Sequence, residues 1–122
     1  NVDTVFIAGP LTSNDRLRKI DKKTRGFIYV VSRLGVTGAR SSLEEQTLGL
    51  IRRVRKAAKK PLCVGFGISR PEHVKSIIKA GADGAIVGSA VVELIAKNIS
   101  SKEKMLSEIN SYVKSMKNAT RN

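Results

Sequence analysis

Four short apolar runs, Val5-Phe6-Ile7-Ala8, Phe27-Ile28-Tyr29-Val30-Val31, Leu62-Cys63-Val64 and Ala85-Ile86-Val87, are separated by segments whose apolar residues recur at helical spacing. A short run with β-branched or aromatic members reads as a strand, and recurrence every three to four residues reads as one face of a helix. The alternation predicts four βα units. Strands joined through helices run parallel, and parallel strands are expected to be covered on both faces, which explains runs that are apolar throughout rather than alternating. The fold class is therefore α/β. Four strands in 122 residues are half of a (βα)8 barrel, which takes about 250 residues. A flavodoxin-like open sheet is the other architecture this order of elements permits.

The helices carry their own punctuation. Ser13 caps a helix from about Asn14, with Leu17 and Ile20 inward. Ser42 and Glu45 stand at capping-box spacing, so the second helix begins there and runs to about Lys59, ahead of Pro61. Ser69 and Glu72 repeat that spacing and open a third helix with Val74, Ile77 and Ile78 on one face and Gly81 at its stop. A short helix follows through Val91, Val92 and Ile95, and a last one from Ser101 puts Leu106, Ile109, Val113 and Met116 on one stripe. No linker divides the chain, which reads as one domain over 1–122. It opens Asn1-Val2-Asp3, without methionine and directly before an apolar run, and is expected to be a piece of something longer.

The net charge of +13 raises the question of nucleic acid, most of all at Arg52-Arg53-Val54-Arg55-Lys56 with Lys59-Lys60 behind it. Those charges alternate with Leu48, Ile51, Val54 and Ala58 at helical spacing, the pattern of a solvated outer face. Aromatic residues are 4% of the chain and none interleaves with the cluster, so a base-stacking platform is missing. Nucleic acid is thus not the expected partner. Cys63, between Leu62 and Val64, is expected in the core and cannot form an internal disulfide; His73 has no neighbouring His or Cys with which to share a metal. No apolar run approaches the roughly 20 residues of a membrane span, and a cytoplasmic location is expected.

Two strand ends lead into glycine turns, Val64-Gly65-Phe66-Gly67-Ile68-Ser69 and Ile86-Val87-Gly88-Ser89-Ala90. Both precede helices, whose first N–H groups lack intrahelical acceptors. Glycine admits a close approach to the backbone, Ser69 or Ser89 adds a hydroxyl, and the helix dipole favours an anion, so a phosphoester is the ligand these turns suit. The loops after the last two strands of a (βα)8 barrel commonly hold phosphate. Gly35-Val36-Thr37-Gly38, after the second strand, adds a third such turn. The segment from Ser32 to Ser42 exceeds the usual βα connection of about 2–6 residues and reads as a lid.

Gly26-Phe27-Ile28-Tyr29-Val30-Val31-Ser32-Arg33, Gly35-Val36-Thr37-Gly38-Ala39, Gly65-Phe66-Gly67-Ile68-Ser69-Arg70-Pro71-Glu72 and Gly84-Ala85-Ile86-Val87-Gly88-Ser89-Ala90 resemble, in order and spacing, the tryptophan synthase alpha subunit family. The resemblance covers the whole chain but only the second half of the family's. It implies strands five to eight of a (βα)8 barrel that cleaves indole-3-glycerol phosphate to indole and glyceraldehyde 3-phosphate by a retro-aldol reaction. It implies no metal or cofactor on this chain, and a beta-subunit partner that carries pyridoxal phosphate. By matched motif, Gly38, Gly67, Ile68, Gly88 and Ser89 would hold the substrate phosphate, and Ile7, Tyr29 and Phe66 would line its pocket. Arg33 and Thr37 would belong to the mobile lid loop. Phe27 stands where some members have tyrosine, and Gly9-Pro10-Leu11-Thr12-Ser13 departs from the commonest family turn. Tyr29 read without the family is equally a core aromatic.

A carbon–carbon cleavage of this kind needs a general acid/base on the strand C-terminal face. None of the ten carboxylates is expected there: Asp3 precedes the first strand, Asp83 lies before the fourth at its wrong end, and the others accompany helices. The resemblance places the catalytic glutamate and aspartate in the family's first half, so no catalytic residue is assigned here and the chain alone is expected to be inactive. The outer strands, Val5 to Ala8 and Ala85 to Val87, are expected to pair with the missing half or across a dimer that closes the barrel. Two other classes stay open: a different phosphate-binding barrel enzyme, and a non-catalytic basic module for phosphate or nucleic acid.

Overall fold

A computed structural model describes residues 2–31, 40–65 and 67–121 of the chain. Its elements alternate in the order β1 (Ile7–Ala8), α1 (Asn14–Lys23), β2 (Ile28–Val31), α2 (Arg40–Ala57), β3 (Leu62–Gly65), α3 (Pro71–Lys79), β4 (Gly84–Ala85), α4 (Ser89–Lys97) and α5 (Lys102–Asn118). All three strand pairings are parallel, and the strands lie side by side in chain order. That order decides between the two architectures. Each right-handed crossover adds its strand on the same side, so the helices gather on one face, whereas a flavodoxin-like sheet reverses direction at a switch point. The sheet has no reversal and is the second half of a (βα)8 barrel.

Register explains the burial. Ala8, Val30, Val64 and Ala85 form one row across the four strands; the first three are fully buried beneath the helices. Ile7, Tyr29, Cys63 and Gly84 form the adjacent row on the opposite face, where Ile7 is 63% exposed and Tyr29 and Cys63 are half-buried. The expected two-sided burial is therefore not found among the described residues: Cys63 is not in the core, because alternation places it on the open face. The core lies between sheet and helices and contains Leu17, Ile20, Ile28, Ile51, Val54, Leu62, Val74 and Ile77.

Helix α1 matches its sequence pattern, with Ser13 Oγ accepting from Arg16 N–H and Leu17 and Ile20 buried. At the end of α3, Gly81 N–H donates to Ile78 O and Ala82 N–H to Ile77 O, the paired bonds of a Schellman stop. Other boundaries move. β1 and β4 are two residues each, shorter than their apolar runs. α2 begins at Arg40, ahead of Ser42, and ends at Ala57. The capping box of α3 does not form: Arg70 is its N-cap without a side-chain bond and Pro71 occupies the first turn. In α5 Met116 is buried as expected, but Leu106 and Val113 are 57% and 49% exposed, and Tyr112 and Ala119 pack inward in their place. α5 packs against α3 and α4.

Candidate phosphate-binding rim

Parallel strands in sequential order bring all four C-terminal ends to one rim. The turns after β3 and β4, which contain Gly67-Ile68 and Gly88-Ser89, are therefore neighbours. In the first turn Gly67 adopts φ +76°, a left-handed conformation that a side chain resists, while Ile68 is buried at 4% exposure and anchors the turn in the core. In the second, Gly88 is the N-cap of α4, and its carbonyl accepts from the N–H groups of Val91 and Val92. Ser89 and Ala90 take the first two positions of α4, whose N–H groups have no intrahelical acceptor. Gly88 and Ser89 are exposed.

Below the rim, on the open face, Ile7 is registered directly against Tyr29. The Tyr29 ring lies across Gly65: a Cβ there would come within 2.7 Å of Tyr29 Cζ and closer to its hydroxyl. Glycine at 65 is what lets the ring lie flat along the sheet. The structure thus sets Ile7 beside Tyr29 on the open face of the sheet and puts the Gly67-Ile68 and Gly88-Ser89 turns after the adjacent strands β3 and β4. Arg33, Thr37, Gly38 and Phe66 lie outside the described residues.

Three side chains that support this rim gave little sign in the sequence. Arg53, expected on a solvated face, reaches from α2 to the turn after β1 and donates to Pro10 O at 2.9 Å, Thr12 O at 2.5 Å and Asn14 Oδ1 at 3.3 Å. The turn is also closed from within, by Gly9 N–H on Thr12 Oγ1 at 3.0 Å. His73 Nδ1 accepts from Ser69 N–H at 3.3 Å, and the Tyr112 hydroxyl donates to Ser69 O at 3.0 Å. Partial burial pushes the Tyr112 hydroxyl above its ordinary pKa. These partners are up to 43 residues apart in the chain, a separation that no local pattern reports.

Two carboxylates, Asp21 and Asp83, stand at the opposite rim. Asp21 Oδ1 accepts from the N–H groups of Lys59 and Lys60 at 2.8 and 2.9 Å. Asp83 Oδ2 accepts from Leu62 N–H at 2.8 Å and from Arg55 Nη1 at 2.9 Å. Arg55 also donates to Ala58 O and Lys60 O. Asp83 thus lies at the N-terminal end of β4, as the sequence indicated, and two arginines of the basic cluster are committed to backbone. Burial first, and then the charge of Asp83, push the Cys63 thiol up from its ordinary pKa. Among the described residues no group of three His, Cys, Asp or Glu could hold a metal, and no helix is long and apolar enough to cross a membrane.

Comparison with known proteins adds an independent line. The profile of the family described as "Tryptophan synthase alpha chain" matches residues 1–121. The tryptophan synthase alpha chain of Methanothermobacter thermautotrophicus is 46% identical over 119 residues, covering 98% of this chain and 44% of the relative. The tryptophan synthase alpha subunit of Pyrococcus furiosus superposes with a TM-score of 0.77 at 36% identity, over 94% of this chain and 44% of that one. A chain of the P. furiosus tryptophan synthase α2β2 complex superposes with a TM-score of 0.75 at 34% identity, over the same shares. The chain therefore spans less than half the length of the relatives it matches, and corresponds to their C-terminal part.

Proposed function

We propose a function for this chain from one premise: the chain belongs to the tryptophan synthase alpha chain family. The activity proposed for the complete protein is retro-aldol cleavage of indole-3-glycerol phosphate to indole and glyceraldehyde 3-phosphate, a cytoplasmic step of tryptophan biosynthesis. This half supplies the phosphate grip and one wall of the pocket. The observation that carries the reading is the placement of Gly67-Ile68 and Gly88-Ser89 on adjacent strand ends, above the Ile7–Tyr29 row.

In this reading the phosphate accepts hydrogen bonds from the N–H groups of Gly67, Ile68, Gly88 and Ser89, with Gly38 contributing from the loop after β2 and Ser89 adding its hydroxyl. Backbone donors at a helix start do not titrate and need little reorganisation. The aromatic part of the substrate lies against Ile7, Tyr29 and Phe66, and the loop containing Arg33 and Thr37 closes over it. Breaking the carbon–carbon bond leaves its electron pair at the indole ring, which takes up a proton, while the glycerol hydroxyl gives one up to become the aldehyde. Those transfers need an acid and a base at the rim. Asp21 and Asp83 are bound on the opposite rim, and the family resemblance implies an acid and a base in the N-terminal half, so this chain alone is expected to be inactive.

The chain itself uses no metal or cofactor in this scheme. Pyridoxal phosphate belongs to a beta subunit, the partner suggested by the likeness to the P. furiosus α2β2 complex. The outer strands β1 and β4 pair with the first half of the barrel. The test is indole formation from indole-3-glycerol phosphate by this chain alone and then mixed with a separately made N-terminal half. Activity only on mixing is the expected result; a folded but inactive mixture would remove the reading.

A further inference from the structure

The main chain of Ser69 is held on both sides by side chains that the proposed chemistry does not use. Its N–H donates to His73 Nδ1 on α3, and its carbonyl accepts from the Tyr112 hydroxyl on α5. Immediately before it stand Gly67, in the left-handed conformation, and Ile68, buried in the core. The arc Gly67-Ile68-Ser69 is thus pinned at one end by apolar burial and at the other by two hydrogen bonds. The usual device for setting a helix entry is absent, because the N-cap Arg70 makes no side-chain cap bond and Pro71 brings no N–H. A residue at the third helical position commonly reaches back to the main chain at the cap, and His73 does so one residue further, at Ser69.

From this geometry we infer that His73 and Tyr112 are positioning residues for the β3–α3 turn, aiming the N–H groups of Gly67 and Ile68 at the oxygens of a phosphoester. The inference rests on the phosphate reading above. Neither side chain contacts the ligand. Each acts through Ser69, and a donor set displaced by a fraction of an ångström loses much of its hold on the anion. The Tyr112 hydroxyl, raised by burial, stays protonated and donating through the neutral range. His73 accepts at Nδ1 only as the neutral ring with its proton on Nε2. The C-terminal helix, in which Met116 is the buried residue, thereby acquires a role at a turn whose Ser69 lies 43 residues before Tyr112 in the chain.

The experiment uses the complete alpha chain carrying these residues, with Tyr112→Phe, His73→Ala and His73→Gln variants. Two quantities are measured: the Kd for glycerol 3-phosphate by calorimetry, and kcat and KM for indole-3-glycerol phosphate. Tyr112→Phe and His73→Ala are each expected to raise Kd and KM about three- to tenfold, the effect of losing one hydrogen bond. Their kcat and melting temperature should change little. His73→Gln, whose side-chain carbonyl can accept from Ser69 N–H, should restore Kd. If the unmodified protein binds glycerol 3-phosphate and all variants bind it equally, the inference falls and the phosphate reading stands. Loss of binding in step with melting temperature, without rescue by glutamine, marks a merely structural role and also overturns it. Absence of glycerol 3-phosphate binding by the unmodified protein removes both.

Discussion

The two rims of the sheet are held together differently. At the N-terminal rim, charged side chains close directly on the main chain: Asp21 on Lys59 and Lys60, Asp83 on Leu62, Arg55 on Ala58 and Lys60. At the C-terminal rim the turns are glycine-rich, and polar side chains reach them from behind, through Arg53, His73 and Tyr112. Asp21 and Asp83 each commit one carboxylate oxygen to backbone N–H groups at the N-terminal rim. Ser69, at the C-terminal rim, is held at both main-chain groups, its N–H by His73 and its carbonyl by Tyr112. The division matches the general separation in (βα)8 barrels between a stabilising end and a reacting end.

The largest expected effect tests the N-terminal rim. Asp83→Ala deprives Leu62 N–H of its acceptor and Arg55 of its partner, and should lower stability by about 2–3 kcal/mol in urea denaturation, most of it from the unsatisfied amide. The ion pair adds little, since the Asp83 side chain is 53% exposed. Asp83→Asn keeps an acceptor and should recover part of the loss; an alanine variant as stable as the parent would end the idea of a clamped rim.

Gly67→Ala tests the other rim. Forcing a side chain to φ +76° should cost about 1–2 kcal/mol of stability. Its larger effect should be on glycerol 3-phosphate binding, and unchanged affinity would reduce the turn to a reversal of direction. Arg53→Met keeps the apolar stem and removes three hydrogen bonds to the β1–α1 turn, all at least partly exposed. A loss of about 1 kcal/mol is expected, with faster amide exchange at Thr12. If exchange there is unchanged, Arg53 is a passenger.

The smallest effect concerns Cys63. A thiol whose pKa is raised in the folded chain adds stability below the unfolded thiol range and loses it as pH climbs through the folded value. Stability should therefore sag slightly on the alkaline side, and alkylation by iodoacetamide at pH 8 should lag that of a free cysteine. Asp83→Asn should narrow that lag, because Asp83 contributes to the shift. Alkylation at the rate of a free thiol would contradict both statements.

Much of the fold was legible because it rests on neighbours in sequence. Ser13 caps α1 through Arg16, three residues on, and Gly81 stops α3 through carbonyls within one turn. The α3 capping box was not, since Ser69 and Glu72 satisfy a spacing rule while Ser69 is claimed by His73 and by Tyr112. The basic cluster misled for a similar reason. Periodicity places Arg53 and Arg55 outside the core stripe, but it cannot tell open water from carbonyls brought alongside by another element. Of the candidate site, Gly67, Gly88 and Ser89 were readable as glycine turns, and Ile7 and Tyr29 acquire their relation only through strand register.

The sequence by itself determined the alternation of strands and helices and the glycines at the strand ends. Each follows from residue type and local spacing. Only the tertiary structure decided that the strands lie in chain order, which makes a half barrel rather than a doubly wound sheet, and which side chains hold each rim. Both depend on contacts between residues far apart in the chain. Their energies come from parallel pairing and from donors meeting acceptors across elements, for which the order of residues along one segment has no signature.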